Sequence, residues 1–90
     1  MTAFPRPLDP AAHPKVQLAL DALPAGRVAR VVAVEGPSDD AARLKSLGIC
    51  VGRQVQLMQS GDPLIVRVLG ARVGLARRLA ADVLVETPPA

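Results

Sequence analysis

The sequence is poor in the side chains that build cofactor and metal sites. Of its 90 residues, one is a cysteine (Cys50), one is a histidine (His13) and one is aromatic (Phe4). A single cysteine excludes an internal disulfide and any zinc or iron–sulfur site made of several cysteines. A single histidine excludes a cluster of histidine ligands. We therefore expect no cofactor and no dedicated metal site.

Long hydrophobic runs are also absent. No apolar stretch approaches the roughly 18–20 residues that a membrane-spanning helix requires, so we expect no direct insertion into a membrane. Four prolines interrupt the first 14 residues, and this pattern is unlike the continuous apolar segment of a secretory signal. These features predict a cytoplasmic protein.

The composition predicts one small folded domain with short extensions. Half of the residues are hydrophobic and 21% are charged, which excludes disorder throughout the chain. Residues 1–15 are rich in proline and predict a flexible leader, residues 16–86 predict the domain, and residues 87–90 predict a frayed C-terminus. Because the domain has no aromatic residue, its core must consist of Val, Leu, Ile and Ala.

The apolar pattern predicts a mainly β fold. Short runs rich in β-branched residues, divided by glycines, indicate a small, partly open barrel of five strands. The run Arg27–Glu35 is typical of such a strand. Val16, Leu18 and Leu20 also alternate as in a strand, but this segment is so short that a helix over residues 15–23 fits equally well.

One short α-helix is predicted over about residues 39–47. Its apolar stripe consists of Ala41, Leu44 and Leu47. Ser38 is a candidate N-cap, and Gly48 is a natural stop at the other end. Farther along the chain, Arg77–Ala81 is compatible with a single helical turn.

Five glycines are predicted to form turns: Gly26, Gly48, Gly52, Gly61 and Gly70. A loop that cradles phosphate would instead need clustered glycines between a strand and a helix, followed by Lys and Ser or Thr. No such motif occurs in the sequence. We therefore do not expect the protein to bind nucleotide itself.

Two sequence blocks are more specific than any single residue. The first is R-L-K-S-L-G-I-C-V-G at residues 43–52, and the second is G-D-P-L-I-V-R-V-L-G at residues 61–70. With the order of the surrounding strands, they resemble the FeoA family, small cytoplasmic proteins of bacterial ferrous iron uptake. The resemblance covers residues 20–86. Val51 and Ala76 depart from the family pattern, in which a proline and a polar residue such as arginine are usual.

This resemblance implies both a fold and a role. The fold would be an SH3-like barrel. The role would be that of an accessory or regulatory protein beside FeoB, the membrane permease for ferrous iron that carries a cytosolic GTP-binding domain. Such a protein acts by contact with its partner, so the resemblance implies neither catalysis nor ion conduction by this chain.

A candidate contact surface follows from alternation along the strand of the second block. If the other residues of that strand face the core, then Ile65, Arg67 and Leu69 face outward, joined by Met58 from the preceding strand. An apolar centre with an arginine at its rim is typical of a protein contact. Either another element covers this patch, or the patch serves self-association or docking on FeoB.

Other candidate sites have simpler explanations. Arg43 and Lys45 on the predicted helix form a second, electrostatic surface, although solvated helix charges are the commoner explanation of such a pair. His13 or Asp62 could hold an adventitious divalent ion, without functional meaning. Cys50 has no histidine in the folded domain to activate it, so we expect no enzymatic activity.

The main alternative function is that of a small basic nucleic-acid-binding barrel. Eleven Lys and Arg against eight Asp and Glu give a net charge of +3. The arginines are spread over all elements, however, and the domain has no aromatic side chain on which bases could stack. We therefore expect no specific recognition of nucleic acid.

Overall fold

The computed structural model describes residues 15–89, and its main feature is one antiparallel sheet of six strands. The strands are β1 (Val16–Ala19), β2 (Val28–Val34), β3 (Gln54–Gln59), β4 (Leu64–Val68), β5 (Ala71–Leu75) and β6 (Val83–Thr87). A 3-10 helix (Leu20–Ala22) follows β1, α1 (Ser38–Ser46) joins β2 to β3, and α2 (Arg77–Ala80) joins β5 to β6.

The strand order across the sheet is β1-β6-β2-β3-β4-β5. Alternate residues of the strands point to one side and fill an aliphatic core, as the lack of aromatic residues predicts. Leu44 of α1 and the following Ile49 complete this core, and neither is exposed to solvent. Each fully buried Leu or Ile of this kind contributes about 1.5–3 kcal/mol relative to an exposed one.

The mainly β fold is confirmed, although the sheet has six strands where five were predicted. The additional strand is β1, in the segment that also fitted a helix. It pairs with β6, with Val16 opposite Thr87 and Ala19 opposite Leu84. Thr87 was expected in the frayed C-terminus, but it is the buried last residue of β6, and its hydroxyl donates a hydrogen bond to the carbonyl oxygen of Val28 at 2.9 Å.

Helix α1 begins one residue earlier than expected. Ser38 is its first helical residue rather than its cap, and Pro37 occupies the N-cap position without a side-chain hydrogen bond. The carbonyl of Pro37 accepts the first helical hydrogen bond, from the amide of Ala41 at 3.1 Å. The fixed φ of proline fits the extended N-cap conformation, so the helix can start here without a capping side chain.

The C-terminal end of α1 depends on a glycine. Gly48 has φ +93°, its amide donates to the carbonyl of Lys45, and the amide of Ile49 donates to the carbonyl of Leu44, both at 2.9 Å. This pair of bonds is the Schellman motif, which satisfies the last helical carbonyls. An added Cβ at Gly48 would lie 3.2 Å from Cγ1 of Val68. Space and φ therefore both select glycine at the point where the chain turns towards β3.

Candidate functional site

The outer face of the sheet carries two neighbouring cross-strand rows of side chains. One row, which we call the Glu86 row, runs from β1 to β3 through directly paired residues: Gln17, Glu86, Arg30 and Gln54. The other, which we call the arginine row, runs from β2 to β5 in the same way: Val28, Gln56, Arg67 and Arg72. Both rows lie on the side opposite the buried residues of the same strands.

The charges of the Glu86 row compensate one another. One carboxylate oxygen of Glu86 lies 3.3 Å from Nη2 of Arg30 and 3.4 Å from Nζ of Lys15. Partial burial of Glu86 alone would raise the pKa of its carboxyl group. Hydrogen bonds from Gln17, Lys15 and Arg30 outweigh this effect and hold that pKa below its ordinary value. This row therefore stabilises the fold by internal pairing.

The arginine row has no such compensation. Arg67 and Arg72 are direct partners across β4 and β5, and both are exposed. Within residues 15–89, no carboxylate oxygen lies within 4.0 Å of either guanidinium. Like charges placed directly opposite each other destabilise a sheet.

A surface groove of about 250 Å³ adjoins the arginine row. Its lining consists of Val28, Gln54, Val55, Gln56, Arg67, Leu69 and Gly70. Leu69 and Gly70 form the two-residue turn between β4 and β5, with φ values of +53° and +80°. Leu69 is 70% exposed, so a large apolar side chain stands at this edge of the groove in a backbone conformation that leucine rarely adopts.

The structure divides the predicted apolar patch. Arg67 and Leu69 line the groove, but Met58 and Ile65 do not. Both of these side chains are only half-buried, and Ile65 reaches over β5, with its Cδ1 4.0 Å from the position that a Cβ would take at Gly74. Periodicity along one strand does not identify Arg72, Gln54 and Gln56. Strand register places Gln56 and Arg72 on either side of Arg67, and Gln54 lines the same groove.

A second groove, of about 360 Å³, lies beside α1. It is lined by Val34, Ala41, Lys45, Ile49, Cys50 and Val51. Lys45 is thus at the rim of an apolar groove, whereas Arg43 is exposed elsewhere on the helix. Val51 is 66% exposed.

Asp62, the acidic residue named for an adventitious ion, and Asp40 in α1 both have partners in the fold. A carboxylate oxygen of Asp62 accepts a hydrogen bond from the amide of Arg77 at 3.1 Å, at the start of α2. Asp40 lies 3.3 Å from Nη1 of Arg78, and this pair joins the two helices. His13 lies outside the described residues. Residues 15–89 contain no group of three or more His, Cys, Asp or Glu that could hold a metal ion.

No described helix is both long and apolar enough to cross a membrane. The structure is that of a small SH3-like β domain with exposed arginines on the outer face of its sheet. Residues 18–87 match the model of the FeoA domain. The chain belongs to the FeoA family.

Solved structures support this assignment. The iron uptake regulatory protein FeoA is 28% identical, with a TM-score of 0.75 over 78% of this chain and 96% of that one. FeoA of Stenotrophomonas maltophilia in complex with zinc, described as an SH3-domain protein proposed to activate ferrous iron transport, is 31% identical, with a TM-score of 0.67 over 76% and 88% of the two chains.

A more distant neighbour shares the fold alone. It is a manganese-dependent transcriptional repressor that is 18% identical, with a TM-score of 0.72 over 77% of this chain and 40% of that one. The comparison with curated proteins gave no match.

Proposed function

We propose that this protein is a cytoplasmic, non-enzymatic accessory protein of ferrous iron uptake, and that it acts by contact with the cytosolic part of a FeoB-type permease. The observation that carries the proposal is the match to the FeoA domain over residues 18–87, which covers nearly the whole described domain. The exposed groups on the outer face of the sheet support a role in protein contact. Regulation would require a higher affinity for one conformational state of the partner, because equal affinity for all states shifts no equilibrium.

A binding experiment with the purified cytosolic GTP-binding domain of the partner tests this function. The immobilised domain is loaded with GTP or GDP, and the affinity of this chain is measured for each form. We expect binding that depends on the nucleotide. Absence of binding to both forms, together with salt-sensitive binding to duplex DNA, would favour the nucleic-acid alternative instead.

Paired variants test which surface makes the contact. The double variant Ile65→Asp/Leu69→Asp changes the predicted β4 surface, and Val51→Asp changes an apolar side chain beside α1 that is about as exposed as Leu69. We expect the double variant to lose the partner and Val51→Asp to retain it. Sedimentation of the free protein then determines whether the same surface also joins two copies of this chain.

A further inference from the structure

The strands carry more positive charge than the fold neutralises. Within the six strands, Glu86 is the one acidic residue, whereas Arg30, Arg67 and Arg72 are basic. Glu86 already contacts Arg30 and Lys15. The two arginines at the end of the arginine row are therefore left with an excess of positive charge on the outer face.

An external anion bound between these two arginines would offset their mutual repulsion. In the free protein, the pairing of Arg67 with Arg72 disfavours the sheet. A carboxylate placed between the two guanidinium groups would replace this repulsion by two attractive contacts. Arginine suits such a ligand well, because its planar group binds carboxylates with two parallel hydrogen bonds.

The groove beside the arginine row determines which further chemical groups a ligand must carry. Leu69 and Val28 supply apolar surface, and the side chains of Gln54 and Gln56 supply amide groups. The amide nitrogen of Gln56 donates to the carbonyl of Gly26 at 3.2 Å, which fixes this side chain across the face. A ligand that fits both parts carries a carboxylate and an apolar group a few ångströms apart.

We propose that the arginine row and its groove bind a short acidic segment of a protein partner, with acidic side chains on Arg67 and Arg72 and an apolar side chain against Leu69. This inference rests on the proposed function, contact with a protein, and specifies the chemistry of that contact. A peptide is favoured over nucleic acid because residues 15–89 offer no aromatic ring for base stacking. It is favoured over a membrane surface because the exposed large apolar side chains among residues 15–89 are Val16, Val51 and Leu69. They belong to three different parts of the fold, namely β1, the segment after α1 and the turn between β4 and β5.

The test uses the full chain and a defined probe. The probe is a synthetic peptide with four glutamates around one leucine, and its control is the same peptide with glutamines. The variant Arg67→Glu/Arg72→Glu reverses the charge of the row but keeps two like charges opposite each other, so its stability should stay near that of the parent. The matched control, Arg43→Glu/Lys45→Glu, makes the same change in net charge on α1.

The row variant should bind the glutamate peptide about 10- to 100-fold more weakly than the parent, because two charge-assisted contacts become repulsive. The helix variant should stay within about twofold, because neither Arg43 nor Lys45 lines the groove beside the arginine row. Equal losses in both variants, or a loss in the helix variant alone, would overturn the proposal. So would tighter binding of the parent to a 20-base-pair duplex or to phosphatidylserine vesicles than to the peptide. Urea unfolding of each variant shows that the comparison is made between folded proteins.

A parallel titration with the cytosolic FeoB domain separates this inference from the proposed function. If the parent binds the peptide through the arginine row but does not bind the FeoB domain, the partner is wrong and the binding chemistry stands. If the FeoB domain binds the parent and the row variant equally well, the function stands and the arginine row is not its site.

Discussion

The Glu86 row and the arginine row are neighbours on the outer face of the sheet, but their charges are arranged differently. In the Glu86 row, one carboxylate contacts both Arg30 and Lys15. In the arginine row, Arg67 and Arg72 oppose each other and no described carboxylate compensates them. The first arrangement favours the folded state. The second disfavours it, and so it is the row whose charges are available for a partner.

The largest change in stability that we expect comes from replacing a residue on the buried face of the sheet rather than one in either row. Leu57 lies in β3 beneath the two rows and is fully buried. Its replacement, Leu57→Ala, should lower the free energy of unfolding by about 2–5 kcal/mol, because it removes buried methyl groups and leaves a cavity. Gln54→Ala, on the opposite face of the same strand, should change it by less than about 0.5 kcal/mol. Urea unfolding measures both, and similar losses would contradict the assignment of the rows to the outer face.

A smaller effect concerns the turn that borders the arginine row. Leu69→Asn should raise the free energy of unfolding by about 1 kcal/mol, because asparagine tolerates a left-handed backbone better than leucine does. The same variant removes the apolar side chain that we assign to the partner contact, so binding should weaken while stability rises. Leu69→Ala is the control, since it removes the side chain but keeps the unfavourable φ. A gain in stability with alanine as large as that with asparagine would argue against backbone strain as the cause.

The fold was largely predictable because its signals are local. Alternating β-branched residues mark the strands, and the stripe through Leu44 marks α1. The number of strands was harder to predict, because Val16–Ala19 is too short for its period to distinguish a strand from a helix. Its pairing with β6 makes this segment a strand, and that pairing arises only in the tertiary structure.

The candidate site was predictable only in part, because it depends on register. Alternation along β4 places Arg67 and Leu69 outside, but it cannot place Arg72 beside Arg67. That pairing requires a turn of two residues at Leu69–Gly70. Such turns are usually recognised by asparagine or aspartate before the glycine, and leucine in that position gives no such signal.

A smaller change in stability is expected from the pair of Arg67 and Arg72 itself. The single variant Arg67→Glu turns the repulsive pair with Arg72 into an attractive one, so the arginine row comes to resemble the Glu86 row. We expect the free energy of unfolding to rise by about 0.2–1 kcal/mol at low salt and the gain to shrink at high salt. Affinity for the acidic peptide should fall at the same time. Adding Arg72→Glu restores two like charges and should remove the gain, whereas a persistent gain would show that the cross-strand pair is not its origin.

The smallest effect is in the pH dependence of the Glu86 row, because burial and hydrogen bonding act in opposite directions on Glu86. The net result is a pKa below the ordinary value in the folded state. The carboxylate therefore stabilises the fold at pH values above the pKa of an unfolded glutamate, and this contribution is lost as the pH falls through the lower, folded pKa.

Urea midpoints measured from neutral to acidic pH should decline less steeply for Glu86→Gln than for the parent, from a lower starting value. The matched change Glu35→Gln removes the same charge at an exposed position after β2, and it controls for the loss of one carboxylate. A parent and a Glu86→Gln variant with parallel pH profiles would mean that the contacts to Arg30 and Lys15 do not hold in solution, and the contrast between the two rows would then lose its electrostatic basis.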